Sequence, residues 1–185
     1  MERSRLKPVS LDAMSPEQRR AAQALLDGPR RAIPGPFHAL LRSPELADRV
    51  RSLGDYVRFA NSLPPRLCEL VILRVARYWT AQYEWFAHRR LSAELGLAPS
   101  VADAIAAGRR PEGLAADELL GFDFVDELLK NRDVSDLTYN KALERFGERG
   151  IVDLVSIAGY FSLVSLVLNT ERHEIPEDAV PLRTA

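Results

Sequence analysis

A chain of 185 residues is one domain, or one domain with an extension, and folding at that size hides about 70% of the unfolded surface, so a core forms without staples. Hydrophobic residues make up 46% and charged residues 28%, and a net charge of -1 offers no electrostatic footprint for nucleic acid. Cys68 is the single cysteine, which excludes an intrachain disulfide; the N-terminal MERSRLK lacks the apolar run of a signal peptide, so a cytoplasmic protein is expected.

Three parts are expected: an N-terminal extension with one helix over residues 1–32, a helical domain over 33–170 and a tail over 171–185. Residues 1–14 have no periodic pattern and should lie along the surface. Ser15-Pro16-Glu17-Gln18 then combines an N-cap serine, proline at the first helical position and glutamine at N3, which starts a helix ending near Gly28. The segment GPRRAIPGPFHALL carries too many breakers for a long helix and reads as a loop with a short turn. Its apolar tip, Ile33, Phe37 and Leu40, must cover something, either the core or, as a lid, a site; His38 beside it reads as a surface or loop histidine.

Ser43-Pro44-Glu45 opens the next helix, whose stripe is Leu46, Val50, Leu53 and Val57 through about Ala60. Leu63-Pro64-Pro65 stops it and launches the central one. Between Tyr78 and Gln82 no glycine or proline forces a break, but Thr80 can cap a new helix and place Glu84 in its first turn. Gly96 ends that helix, Pro99 starts a short one through Ala107, and GRRPEG is a turn-rich connection. Asp117 to Lys130 follows with the stripe Leu120, Phe124 and Leu128, and Ser135 caps a further helix carrying Leu137, Ala142 and Phe146.

From Ile151 to Leu168, 13 of 18 residues are apolar, interrupted by Asp153, Ser156, Gly159, Ser162 and Ser165. The length is near the lower limit for a membrane span, but the early aspartate and repeated serines point to a helix buried in protein, and no membrane is expected. Ala158, Ser162 and Ser165 form a small-residue stripe that lets another helix, within the chain or from a second copy, approach closely. A helix apolar on nearly all sides needs more cover than one small bundle gives, so a homo-oligomer is expected. No strand signal is long enough for a sheet, and the fold class is all-α.

Charged groups on apolar faces are the candidates for chemistry, since they are costly unless paired or used. Glu69 shares its face with Ile72, Leu73 and Ala76, whereas Arg66, Arg74 and Arg77 share another with Leu70 and read as a surface stripe, or as contacts for an anionic substrate. Glu84 and His88 stand at i, i+4 on a face that continues through Leu91 and Leu95. Two carboxylates and an imidazole thus look into one interior. A histidine beside carboxylates is the commonest general acid/base arrangement; burial disfavours a carboxylate's charge while the dipole at a first helical turn favours that of Glu84, so the two acids can take different roles. The same spacing also fits a buried polar network that only fixes packing, with Glu69 paired to Arg66 or to an arginine elsewhere, or a metal set of two carboxylates and one histidine. No second histidine lies at ligand spacing and neither His38 nor His173 is placed by a motif, so no metal and no cofactor are expected. Cys68, with Val71, Ile72 and Val75 on its face, reads as a buried inert thiol. Trp79, Tyr83 and Trp85 are core aromatics or line an apolar pocket, joined by Phe37 if its loop is a lid.

LPPRLCELVILRVAR followed by AQYEWFAH resembles the carboxymuconolactone decarboxylase family, of the superfamily that includes the alkyl hydroperoxide reductase D proteins; the likeness runs from about Pro34 to Asn169. In the redox branch the motif is Cys, two residues, Cys, three residues, His, preceded by a glutamate on the previous helix. Here the histidine falls on His88, the second cysteine on Glu84, the first on Ala81 and the glutamate on Glu69, so both redox cysteines are missing. The resemblance implies a helical bundle of the alkyl hydroperoxide reductase D type, favours the break near Thr80, and points to a cofactor-free lyase or isomerase acting on a small carboxylate or lactone. His88 would transfer a proton, with Glu84 and Glu69 orienting it or shuttling protons. The alternatives are a peroxidase or disulfide reductase, which needs the two absent thiols, and a non-catalytic oligomeric protein that binds a small molecule.

Overall fold

The computed structural model describes residues 4–7, 9–177 and 179–183, and among them the chain is all-α: a 3-10 turn, Leu11–Ala13, and eight helices. These are α1 (Pro16–Asp27), α2 (Gly35–Leu40), α3 (Pro44–Phe59), α4 (Pro65–Trp79), α5 (Gln82–Glu94), α6 (Pro99–Ala106), α7 (Ala116–Asn131) and α8 (Asp136–Glu171). What was expected of residues 1–3, Pro8, Asp178 and 184–185 lies outside the described residues.

Local signals start the helices. Ser15 Oγ accepts from the Gln18 backbone N–H at 3.2 Å while Gln18 Oε1 accepts from the Ser15 N–H at 2.9 Å, a reciprocal cap worth about 0.5–2 kcal/mol. Ser135 Oγ caps α8 by accepting from the Thr138 N–H at 3.4 Å, while its own N–H donates to Glu127 Oε2 at 2.9 Å. Ser43, expected to do likewise, makes no side-chain cap bond, and α3 relies on Pro44 alone.

The centre is α4. Every residue from Leu67 to Ala76 is buried, because α5, α6, α7 and α8 all pack around this one helix. Each apolar side chain so covered stabilises the fold by about 1.5–3 kcal/mol. Arg74, expected at the surface, is buried instead: α7 lies over it and presents Asp126, whose Oδ1 accepts from Arg74 Nε at 2.5 Å. Arg66 turns to Glu118 of the same helix, and so is not the partner of Glu69.

Two more expectations shift in register. The inward face of α3 is Ala47, Val50, Gly54 and Val57, while Leu46 and Leu53 are exposed. The small residues face in because side chains from elsewhere occupy that space: a Cβ on Gly54 would collide with the Tyr160 hydroxyl and with Arg30 Nη2. Leu137 is 67% exposed, and Thr138 takes the inward position one turn before Ala142. The helices expected after Ser135 and around 151–168 are both present, running end to end as α8 and parted by a kink at Gly147 (φ 69°, ψ 175°), a conformation open to glycine alone.

The apolar half of α8 is long and apolar enough to span a membrane by composition, yet 56% of that window is buried inside the protein. Asp153 explains its charge there: it accepts from Tyr56 Oη at 2.8 Å and from Ser62 N–H and Oγ at 2.8 and 2.6 Å, tying α8 to the α3–α4 connection. Of the small-residue stripe, Ala158 and Ser165 are buried within the chain and Ser162 Oγ accepts from Trp79 Nε1 at 2.8 Å. The tail is strapped to the start of α5 by reciprocal bonds between Leu182 and the Gln82 amide, 2.8 and 2.9 Å long.

Candidate active site

The junction between α4 and α5 sets the geometry. Thr80, rather than opening α5, closes α4 in the left-handed conformation (φ 50°, ψ 40°), and Ala81 N–H returns to Ala76 C=O at 2.8 Å. Ala81 is the N-cap of α5 and has no side chain to cap with, so Glu84 in the first turn meets the positive end of the helix dipole. A β-branched residue at positive φ is strained by about 1–3 kcal/mol. The turn folds α5 back along α4, bringing Glu69 to one edge of the His88 ring.

His88 stands between the two acids. Its Nδ1 meets Glu69 Oε2 at 2.6 Å, its Nε2 meets Glu84 Oε2 at 3.3 Å, and Phe161 of α8 packs edge-on against the ring with centroids 5.0 Å apart. All three polar side chains are buried. Burial pulls the imidazole toward its neutral form, but the hydrogen bonds and charges of Glu69 and Glu84 outweigh it, and the His88 pKa ends above the ordinary value. In the imidazolium both ring nitrogens donate, so one proton carrier is held between two acceptors.

A cavity of about 240 Å³ opens onto this cluster, with Glu84 and His88 in one wall and Arg30, Arg58 and Tyr160 among the residues opposite. Pro34 and Pro36 roof it, so the segment around α2 covers the site as well as the core. Glu69 lies behind the imidazole, outside the cavity lining. Burial pushes the Arg58 guanidinium below its usual range, a shift opposed by Glu69 and Glu84 and reinforced by Arg30; burial likewise raises the Tyr160 phenol against the pull of both arginines.

The aromatic candidates divide. Tyr83 lines the cavity and its hydroxyl accepts from the Gly35 N–H at 3.1 Å. Trp85 and Phe37 are wholly in the core and the Trp79 indole donates to Ser162, so none of these three lines the cavity. His38 and His173 pair with each other (centroids 6.2 Å) beside Tyr83, away from His88. Cys68 is buried elsewhere, its thiol pushed up to about 11 by burial. Among the described residues no group of three or more His, Cys, Asp and Glu is arranged to hold a metal ion. Larger grooves exist on the surface, one of about 390 Å³ near His173 and one of about 570 Å³ beside Leu163, but neither reaches His88.

No protein-family model matches the chain and no curated protein matches it. Solved structures do. An uncharacterized peroxidase-related protein from Ralstonia eutropha, described as an alkylhydroperoxidase AhpD core, superposes with a TM-score of 0.79 at 18% identity over 96% of this chain and 95% of that one. The fold is AhpD-like. A second uncharacterized peroxidase-related protein, from a Silicibacter species, gives 0.75 at 14% identity over 96% and 94%. A protein of unknown function from Agrobacterium tumefaciens, described as an antioxidant defence protein of AhpD type, gives 0.67 at 20% identity over 75% and 96%. At these identities the likeness establishes the AhpD-like scaffold and leaves activity to the side chains.

Arg30, Arg58 and Tyr160 were not anticipated from the sequence. Arg30 sits in a breaker-rich loop and Arg58 in the last turn of a helix whose register was read differently. Tyr160, a hydroxyl within an apolar run, was the one available signal.

Proposed function

We propose that the protein is a cofactor-free acid/base catalyst of the carboxymuconolactone decarboxylase type, a lyase or isomerase acting on a small carboxylate or lactone. The observation that supports this is His88 held at 2.6 Å from Glu69 and 3.3 Å from Glu84 at the edge of a small cavity. Glu69 fixes the ring and favours its charged form; Glu84, facing the cavity beside His88, relays the proton. In a decarboxylation the bond to the carboxylate carbon breaks, carbon dioxide leaves, the electron pair passes to an enolate, and the imidazolium protonates the carbon and regains its proton from solvent. Turnover of candidate lactones and acids by wild type and His88→Gln tests this. Loss of turnover in a variant that still folds supports it, and unchanged turnover ends it.

A second reading draws on the neighbours described as peroxidase-related. It would need a thiol, and the side chains weigh against it: Ala81 and Glu84 stand where a dithiol would be, and Cys68 is buried with a raised pKa. Peroxide-dependent thiol oxidation that depends on Cys68 would favour it; stoichiometric binding of a ligand recovered unchanged would instead favour a non-catalytic binding protein.

We also infer a cytoplasmic protein that self-associates. Val152, Val155, Gly159, Leu163 and Leu166 recur at helical spacing on the exposed side of α8, with the exposed Leu46 of α3 sharing a groove with Leu163 and Leu166, and a second copy is the occupant such a face suits. A monomeric mass by light scattering at micromolar concentration would refute this.

A further inference from the structure

In the wall of the cavity opposite His88 three side chains have donors with no protein acceptor among the described residues, and one of those donors, Arg30 Nη2, is also buried from water. Arg30 has a side chain only 8% exposed; its Nε donates to Asp55 Oδ1 at 3.0 Å, but its Nη2, also buried, has no partner. Arg58 makes no hydrogen bond or ion pair among the described residues, and its only neighbour contact of note is the Phe59 ring, 5.2 Å from its guanidinium carbon. The same ring lies 5.9 Å from the guanidinium carbon of Arg30, so the two cations flank one aromatic. The Tyr160 hydroxyl stands with Arg30 Nη2 over Gly54, at the place a Cβ would fill, and it too has no hydrogen-bond partner among the described residues.

A buried guanidinium nitrogen without an acceptor is costly, and two guanidiniums brought together add mutual repulsion. The fold tolerates both costs, and α3 is bare at Gly54 where the Tyr160 hydroxyl and Arg30 Nη2 sit. The three groups share one chemistry: all can donate, and two are permanently charged. We propose that Arg30, Arg58 and Tyr160 form a carboxylate-binding subsite that anchors the anionic end of the ligand and turns its other end toward His88 and Glu84.

This rests on the reading that the cavity is where reaction occurs, and it adds what the acid/base cluster does not contain. Glu84 and His88 answer each other, so they give no orientation to a ligand. Asp55 holds Arg30 through Nε alone, so Nη2, packed beside the Tyr160 hydroxyl over Gly54, keeps its donor capacity in a residue that lines the cavity. A neutral ligand of the same size would leave the Arg58 charge without an ion-pair partner, whereas Arg30 keeps Asp55.

Benzoate and its uncharged counterpart benzamide are the probes, measured by calorimetry and by thermal shift on the whole chain. Benzoate is expected to bind and to raise the melting temperature, and benzamide to bind about tenfold or more weakly, the loss expected for a charge-assisted hydrogen bond. Arg58→Met should remove that preference and Arg58→Lys should retain part of it. Arg58 is the variant of choice because Arg30, tied to Asp55, is also structural. His88→Gln should leave benzoate binding in place while removing turnover. Equal binding of the two probes, or a preference unchanged by Arg58→Met, overturns the subsite. Benzoate binding that depends on Arg58 in a protein with no turnover would retain the subsite and reject the acid/base reading, so the two fail separately.

Discussion

The two walls of the cavity differ in how their polar groups are answered. On one side His88, Glu69 and Glu84 complete one another, two acceptors around one donor, within helices whose turn geometry is set by a strained Thr80. On the other, Arg30, Arg58 and Tyr160 converge from a loop, from α3 and from α8 without a protein acceptor for each donor, and Arg30 Nη2 is buried unanswered. A closed network stabilises itself and can hold a proton ready. An open one carries a cost that an acceptor can remove, so on the proposed reading the first wall would move protons and the second would select what enters.

The largest expected effect comes from breaking the closed wall. His88→Gln should lower turnover per folded molecule by about a hundredfold to ten-thousandfold, the usual worth of a general acid/base, measured on preparations matched by circular dichroism. If only melting temperature falls, the cluster is a packing network and the walls do not differ in function. Glu69→Gln sharpens the comparison. Removing that charge should return the imidazole toward its ordinary pKa, so the alkaline limb of the pH–rate profile moves to lower pH, with about 1–3 kcal/mol of stability lost if the buried partner is left unanswered.

Stability itself should report the closed wall. Because the folded-state pKa of His88 is raised, its charged cluster contributes fully below about pH 6.5, the value of a free histidine, and the contribution is lost as pH rises through the folded-state value. The melting-temperature gap between wild type and His88→Gln should therefore narrow toward alkaline pH; a gap that widens would reverse the sign assigned to the shift. A smaller effect is expected at the junction. Thr80→Gly should raise stability by about 1 kcal/mol by relieving positive φ, and a fall in stability would show that the Thr80 hydroxyl, 3.3 Å from Arg77 Nη1, outweighs the strain. The smallest belongs to Cys68→Ser, which should leave activity per folded molecule unchanged, since the thiol touches neither wall; loss of activity there would restore the redox reading.

Where the chain begins and ends its helices was legible because those signals are local: Ser15 with Gln18, Pro65, Pro99 and Ser135 act within one turn of themselves. The closed wall was legible for the same reason. Glu84 and His88 are one turn apart, and Glu69 stands out as a carboxylate on an apolar face, while the break that brings it to them was suggested by family resemblance rather than by any glycine or proline. The turn itself was misread at its capping residue, since a threonine in left-handed conformation leaves no compositional mark.

What the tertiary structure alone decided is every feature that depends on which helix covers which. Periodicity gives a helix an apolar face but does not fix its angle to within one side chain, so α3 presents Ala47 and Gly54 where Leu46 and Leu53 were expected. Arg74 is buried because Asp126, 52 residues on, lies across from it, and no local rule reaches that far. Arg30, Arg58 and Tyr160 meet only after the loop, α3 and α8 have packed. The unanswered donor at Arg30 Nη2 is a property of that packing, since in the unfolded chain water would answer it.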